Sequence, residues 1–182
     1  MSTTARPATI DDLYAVEGKA ELVNGEIVLM SPTGRRPGYA ADAIVVSLWQ
    51  YAKQHRSGIA VGDNKAFRVN LPHRKSFSPD AAFYVGPDSG TRFFDGAPVF
   101  AIEVRSEGDY DPSAERAIAA KRRDYFAAGT MVVWDVDIQS DDVVKSYRAD
   151  APDTPTVFRR GDLADAEPAV PGWGTPVDEM FE

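Results

Sequence analysis

Three residues on separate segments of the 182-residue chain have the types needed for one shared chemistry. They are Asp80 in Ser78-Pro79-Asp80, Glu103 in Ala101-Ile102-Glu103-Val104-Arg105, and Lys121 in Ala119-Ala120-Lys121-Arg122-Arg123. Asp80 enters one apolar strand-like run and Glu103 interrupts another. A carboxylate in such a place is costly unless a cation or a metal ion pairs with it. Two strand carboxylates with one ammonium are the set that divalent-metal hydrolysis of a phosphodiester requires.

Each residue also has a plainer role. Asp80 after a proline suits a turn aspartate that binds nearby backbone amides. Strand alternation puts Glu103 and Arg105 on one face, so they offer a structural ion pair. Such buried pairs seldom stabilise a fold relative to apolar substitutes, which tilts Glu103 toward function. Lys121 shares a helical face with Ile118 and Tyr125, where a lysine can lie along the apolar edge with its ammonium in water. Arg122 lies on the adjacent stripe with Ile118 and Phe126, so periodicity does not choose between the two cations. Glu21 opens a strand as either a further oxygen ligand or a solvated acid. His55 and His73, the only histidines, lack metal-ligand spacing, and no serine sits in a nucleophile-elbow pattern.

The elements that must position these residues follow from periodicity and turn chemistry. Thr9 is placed to cap a short helix over residues 10–17. Asn24-Gly25 between two apolar-rich runs predicts a hairpin over 21–30. Apolar residues at three- and four-residue steps predict a helix over 39–54. Strands are expected at 59–62, 66–71, 81–85 and 99–104. Asp111-Pro112-Ser113 opens a helix that Gly129 stops. Further strands follow at 131–136, 143–147 and near 156–159. The expected fold is one α/β domain, a mixed β-sheet flanked by α-helices, with its core at about residues 20–148. The Pro-, Asp- and Gly-rich tail, 149–182, reads as a loosely packed end.

Composition limits the possible chemistry. Apolar residues make up 43%, ordinary for a globular protein. No cysteine is present, which removes thiolate zinc sites and thiol nucleophiles. No apolar run approaches the roughly 20 residues needed to span a bilayer. Residues 1–12 contain no apolar signal-peptide core, so a cytoplasmic protein is expected. The net charge is −8, from 20 basic and 28 acidic residues. A broad basic face for nucleic acid is therefore not expected, although Arg35-Arg36, His73-Arg74-Lys75 and Lys121-Arg122-Arg123 can form a local basic lip.

Several stretches in order resemble the Uma-two family of the restriction-endonuclease-like PD-(D/E)xK superfamily. They are Glu21-Leu22-Val23-Asn24-Gly25-Glu26, Met30-Ser31-Pro32, Ser78-Pro79-Asp80-Ala81-Ala82-Phe83, Ile102-Glu103-Val104-Arg105-Ser106, and Tyr125-Phe126-Ala127-Ala128-Gly129 with Val132-Val133-Trp134. The resemblance implies a nuclease core in which Asp80, Glu103, the backbone carbonyl of Val104 and Glu21 hold Mg²⁺ or Mn²⁺. The superfamily lysine usually stands two residues after the glutamate. Here that place holds Arg105, and the resemblance implies that Lys121 on the next helix replaces it. Arg105 is then a candidate phosphate contact or a partner for Glu103. Many relatives carry a histidine soon after the Ser-Pro turn; this chain has Arg35-Arg36-Pro37-Gly38. The expected activity is metal-dependent cleavage of DNA, with RNA as another substrate, by a homodimer. The alternative is a non-catalytic interaction module on the same fold.

Overall fold

The computed structural model describes residues 6–182, so the first five residues of the stretch read for a signal peptide lie outside the described residues. Thr9 caps α1 (Ile10–Tyr14), and its hydroxyl and the Asp12 carboxylate bond each other's backbone amides. The helix is shorter than its apolar pattern suggests. A hairpin follows, β1 (Ala20–Val23) and β2 (Glu26–Leu29). Asn24 and Gly25 both take positive φ, 53° and 73°, as a tight two-residue turn requires.

The helix α2 runs over Arg35–His55, four residues earlier than its periodicity shows. Pro37 and Gly38 lie in its first turn, where a proline loses no hydrogen bond. Short strands β3 (Ile59–Val61), β4 (Phe67–Arg68) and β5 (Ser76–Phe77) lead to β6 (Ala81–Tyr84), β7 (Phe94–Asp95) and β8 (Phe100–Val104). The helix α3 (Pro112–Ala127) is capped by the Asp111 carboxylate, which accepts from the amides of Ser113 and Ala114. It ends before Gly129, whose φ of 104° a side chain would resist. Then come β9 (Val132–Val136), β10 (Val144–Arg148), β11 (Ala151–Phe158), β12 (Leu163–Asp165), β13 (Gly174–Pro176) and a 3₁₀ turn at Val177–Met180.

Six strands form the central sheet in the order β11-β10-β9-β8-β6-β3. All neighbours are antiparallel except β8 and β9, which α3 connects as a parallel crossover. Strand alternation sorts the buried residues by face. Ala81, Phe83, Phe100, Ile102, Val132 and Trp134 pack with Ile44 and Leu48 of α2. Ala82, Tyr84, Ala101 and Val133 pack on the opposite side with Tyr125 of α3. Asp80, Glu103 and Asp135 continue this second set, so they belong to the α3 face. The expected α/β class and helix-flanked mixed sheet hold. Among the described residues no helix is long and apolar enough to cross a membrane.

The tail is not loose. Ala164, Ala166, Ala169, Val170, Trp173, Val177 and Met180 are all buried in the core that α2 covers. Trp173 packs near the rings of Trp134 and Phe100, at 5.4 and 5.7 Å between centroids, and its indole N–H donates to Ser47 Oγ at 3.1 Å. Its spaced small and large apolar residues lack a period because turns separate them. Replacing Trp173 with Ala is expected to lower the unfolding free energy by about 3–5 kcal/mol, measured by urea denaturation. A loss below about 1 kcal/mol would contradict its place in the core.

Candidate active site

The site lies where β6 and β8 run side by side. Ala81 faces Ile102 in the ladder, so one step back along β6 brings Asp80 opposite Glu103. The Asp80 amide donates to the Ile102 carbonyl at 3.1 Å, and the Val104 amide donates to Asp80 Oδ2 at 2.7 Å. Asp80 is therefore no local turn aspartate; it bonds an amide on a neighbouring strand. Both carboxylates line one cleft of about 490 Å³ together with Lys19, Val104, Arg105 and Lys121. Met30, Ser31, Pro32 and Thr33 after the hairpin form another wall.

Lys121 reaches this cleft from α3. Its Nζ lies 2.8 Å from Glu103 Oε1 and 2.8 Å from Glu21 Oε1. Arg122 instead stacks over the Tyr147 ring at 3.6 Å, which removes the ambiguity between the two cations. Tyr125, one turn after Lys121, donates its hydroxyl to Glu103 Oε1 at 2.6 Å. The helical repeat thus supplies two donors to one carboxylate oxygen.

Glu21 is buried, with 3% of its side chain exposed. Its Oε1 also accepts from the Ser78 amide at 2.8 Å, and its Oε2 accepts from Arg74 at 2.5 Å. Arg74 in turn donates to Asp124 at 2.9 Å, and His73 completes the chain at 2.8 Å from Asp124. Glu21 is neither a solvated acid nor a residue of the cleft wall. Both its oxygens are committed to cations and an amide, so Glu21 stands behind the cleft that Asp80 and Glu103 line.

Arg105 also departs from expectation. Its guanidinium holds Asp135 through two bonds of 2.8 Å and also pairs with Glu115. It is not the partner of Glu103. Glu103 and Asp135 are direct neighbours in the parallel β8–β9 ladder. Like charges so placed repel, and each carboxylate has recruited its own cation.

The charges shift the acidities in opposite directions. Burial pushes the Glu103 carboxyl above the usual range; Lys121 opposes this, while the charges of Asp80 and Glu21 add to it. Burial would also raise Glu21, but Lys121 and Arg74 outweigh it and hold that carboxyl below its usual range. Lys121 loses charge stability on burial, yet Glu103 and Glu21 more than restore it and keep the ammonium protonated.

Sequence reasoning missed Lys19. Its Nζ lies 2.5 Å from Asp80 Oδ1 and 2.8 Å from Asp63 Oδ1. The alternation of Lys19 and Glu21 about β1 was the available signal, since it sends both side chains to the same face. Arg74 was legible only as one of a basic cluster.

Asp80 and Glu103 present carboxylate oxygens to the cleft, the donor type that hard, hydrated divalent ions take. Among the described residues no group of three or more acids or histidines is arranged to hold a metal. Mg²⁺ does not need one, because it keeps several waters and takes one or two carboxylates. Burial favours the neutral form of Glu103, and a cation beside it opposes that, as Lys121 does.

Because the folded state holds the pKa of Glu21 below its unfolded value, its contribution is present above the ordinary carboxylate range. It is lost as pH falls through the lowered value. Glu21→Gln is therefore expected to cost about 3 kcal/mol at neutral pH and to flatten the acid side of the stability curve, measured by urea unfolding across pH. Parallel curves for the two proteins would overturn the assignment of the shift to Glu21.

Comparison with known proteins agrees with this architecture. Residues 8–178 match the Uma2 family model, described as "Putative restriction endonuclease". No curated protein matches the chain. A crystal structure from Anabaena variabilis ATCC 29413, described as a "putative nuclease belonging to DUF820", superposes with a TM-score of 0.74 at 17% identity. The match covers 96% of this chain and 98% of that one, and at such identity it establishes a shared fold. With nearly its whole length matched, the chain belongs to the Uma2 family of restriction-endonuclease-like proteins.

Proposed function

We propose that the chain is a Mg²⁺- or Mn²⁺-dependent endonuclease that hydrolyses phosphodiester bonds in DNA. One observation carries the reading: Asp80 and Glu103 line one cleft from neighbouring strands, with Lys121 bonded to Glu103. Asp80, Glu103 and the carbonyl of Val104 are the groups that would hold the ion. A divalent cation there acidifies a bound water and offsets charge on the scissile phosphate. An ammonium has three donors. Lys121 spends two on Glu103 and Glu21, and its third, without a partner among the described residues, can orient the attacking water or meet developing negative charge.

Glu21 acts one step removed from the chemistry. Held by Arg74 and Ser78, it fixes where Lys121 points. Arg105 is a weaker candidate for phosphate contact than its position suggests, since Asp135 and Glu115 already engage its guanidinium. Cutting both strands of a duplex is most simply done by a two-fold dimer, and a cytoplasmic homodimer is the assembly we propose. The same carboxylates and ammonium would serve an RNA phosphodiester by the same chemistry.

The net charge of −8 favours a second reading, a non-catalytic interaction module on the same fold. The two differ in ion uptake and cleavage. Plasmid nicking at low salt with Mg²⁺ or Mn²⁺ is expected to fall by at least about a hundredfold in Asp80→Ala, Glu103→Ala and Lys121→Ala. Equal nicking by all four proteins would sink the nuclease assignment. Absence of both cleavage and Mn²⁺ binding in the natural protein would support the module.

A further inference from the structure

Lys19 has no part in the scheme above, yet it touches that scheme's first carboxylate. It immediately precedes β1, and its side chain is only 11% exposed. Its ammonium sits between Asp80 Oδ1 and Asp63 Oδ1, at 2.5 and 2.8 Å. The other oxygen of Asp80 accepts from the Val104 amide. Asp80 thus has one oxygen anchored to the sheet, and a lysine on the other. Asp63, by contrast, lies just after β3 with 39% of its side chain exposed. It does not line the cleft.

An ion held by Asp80 and Glu103 shares this small space with the ammonium. Both are positive, and both are drawn by the same carboxylates: burial works against the charge of Lys19, but Asp80, Glu103 and Asp63 overcome it. Lys19 and a divalent ion therefore repel while competing for one oxygen. Lys19 has an alternative seat already in contact, so release from Asp80 leaves its charge paired. Lys121 lacks that option, since both its partners are Glu103 and the buried Glu21.

We propose that Lys19 is an internal cation that occupies the metal-facing oxygen of Asp80 and yields it to the divalent ion by shifting onto Asp63. Lys19 is a positioning residue in this scheme: it sets how tightly Asp80 takes the ion. The exchange keeps Asp80 paired with a positive charge whether or not metal is bound. Without such a device Asp80 would face the neighbouring carboxylate of Glu103 uncompensated in the metal-free protein. The inference rests on the metal-dependent reading given above.

Isothermal titration of the intact chain with Mn²⁺ tests it. Lys19→Met is expected to bind Mn²⁺ about tenfold more tightly, because a competing unit charge is gone. Asp63→Asn is expected to bind about threefold more weakly, because Lys19 then has only Asp80 to hold. The opposite signs are the signature. A lysine that merely props the cleft would weaken Mn²⁺ binding when replaced, and that result overturns the proposal. Equal affinities in the natural protein, Lys19→Met and Asp63→Asn also overturn it, while leaving the metal site intact provided Asp80→Ala abolishes binding. If neither the natural protein nor Lys19→Met takes up Mn²⁺, the metal-dependent reading fails and this inference with it. Should Lys19→Met not fold, Lys19→Gln replaces it, and Asp63→Asn reads the same competition with the lysine retained.

Discussion

One ammonium ties the site together. Lys121 bridges Glu103 on β8 and Glu21 on β1, and thereby joins α3, the central sheet and the small hairpin at a single point. Ion pairs of this kind contribute little net stability, because taking charges out of water offsets their attraction. Their effect is on arrangement. With one partner removed, a charge is left buried and unpaired, so the three elements can meet in only one way that satisfies all the groups. The network continues through Arg74 to Asp124 and His73 at the surface, and no buried side-chain polar atom among the described residues lacks a partner.

The same end of the sheet collects several acids, and the cations divide them. Glu103 and Asp135 stand directly opposite each other in a parallel ladder. Lys121 takes the first and Arg105 the second. This division gives Arg105, two residues after Glu103, a partner of its own. A guanidinium forks onto Asp135 and reaches Glu115 as well, which a point-charge ammonium does less well. Arg105 is engaged by Asp135 and Glu115, and a lysine from the crossover helix stands beside Glu103. A net charge of −8 coexists with this site because the charges that matter are arranged within a few ångströms, where local geometry outweighs the overall sum.

Much of the frame was legible in the sequence. Asn24-Gly25 fixed the hairpin turn, Asp111-Pro112 and Gly129 bounded α3, and continuous apolar runs marked β6, β8 and β9. These signals are local: each depends on what a few consecutive residues can do with their backbone. The tail was misread for the same reason. Its buried residues are scattered among turns, and only packing against α2 and the sheet makes a core of them. The first turn of α2 carries no apolar periodicity, so its start at Arg35 was not visible from the stripe that begins near Tyr39.

The sequence alone determined which residue types were available and on which face of its own element each would lie. Asp80, Glu103 and Lys121 could be singled out because a charge within an apolar pattern is conspicuous wherever it occurs. Tertiary structure decided who pairs with whom. Strand register brought Asp80 opposite Glu103, helix placement chose Lys121 over Arg122, and burial set Glu21 against Lys121 and Arg74. It also brought in Lys19, 61 positions from Asp80 along the chain. Coulombic partnership depends on distance in space, and neither periodicity nor composition carries that distance.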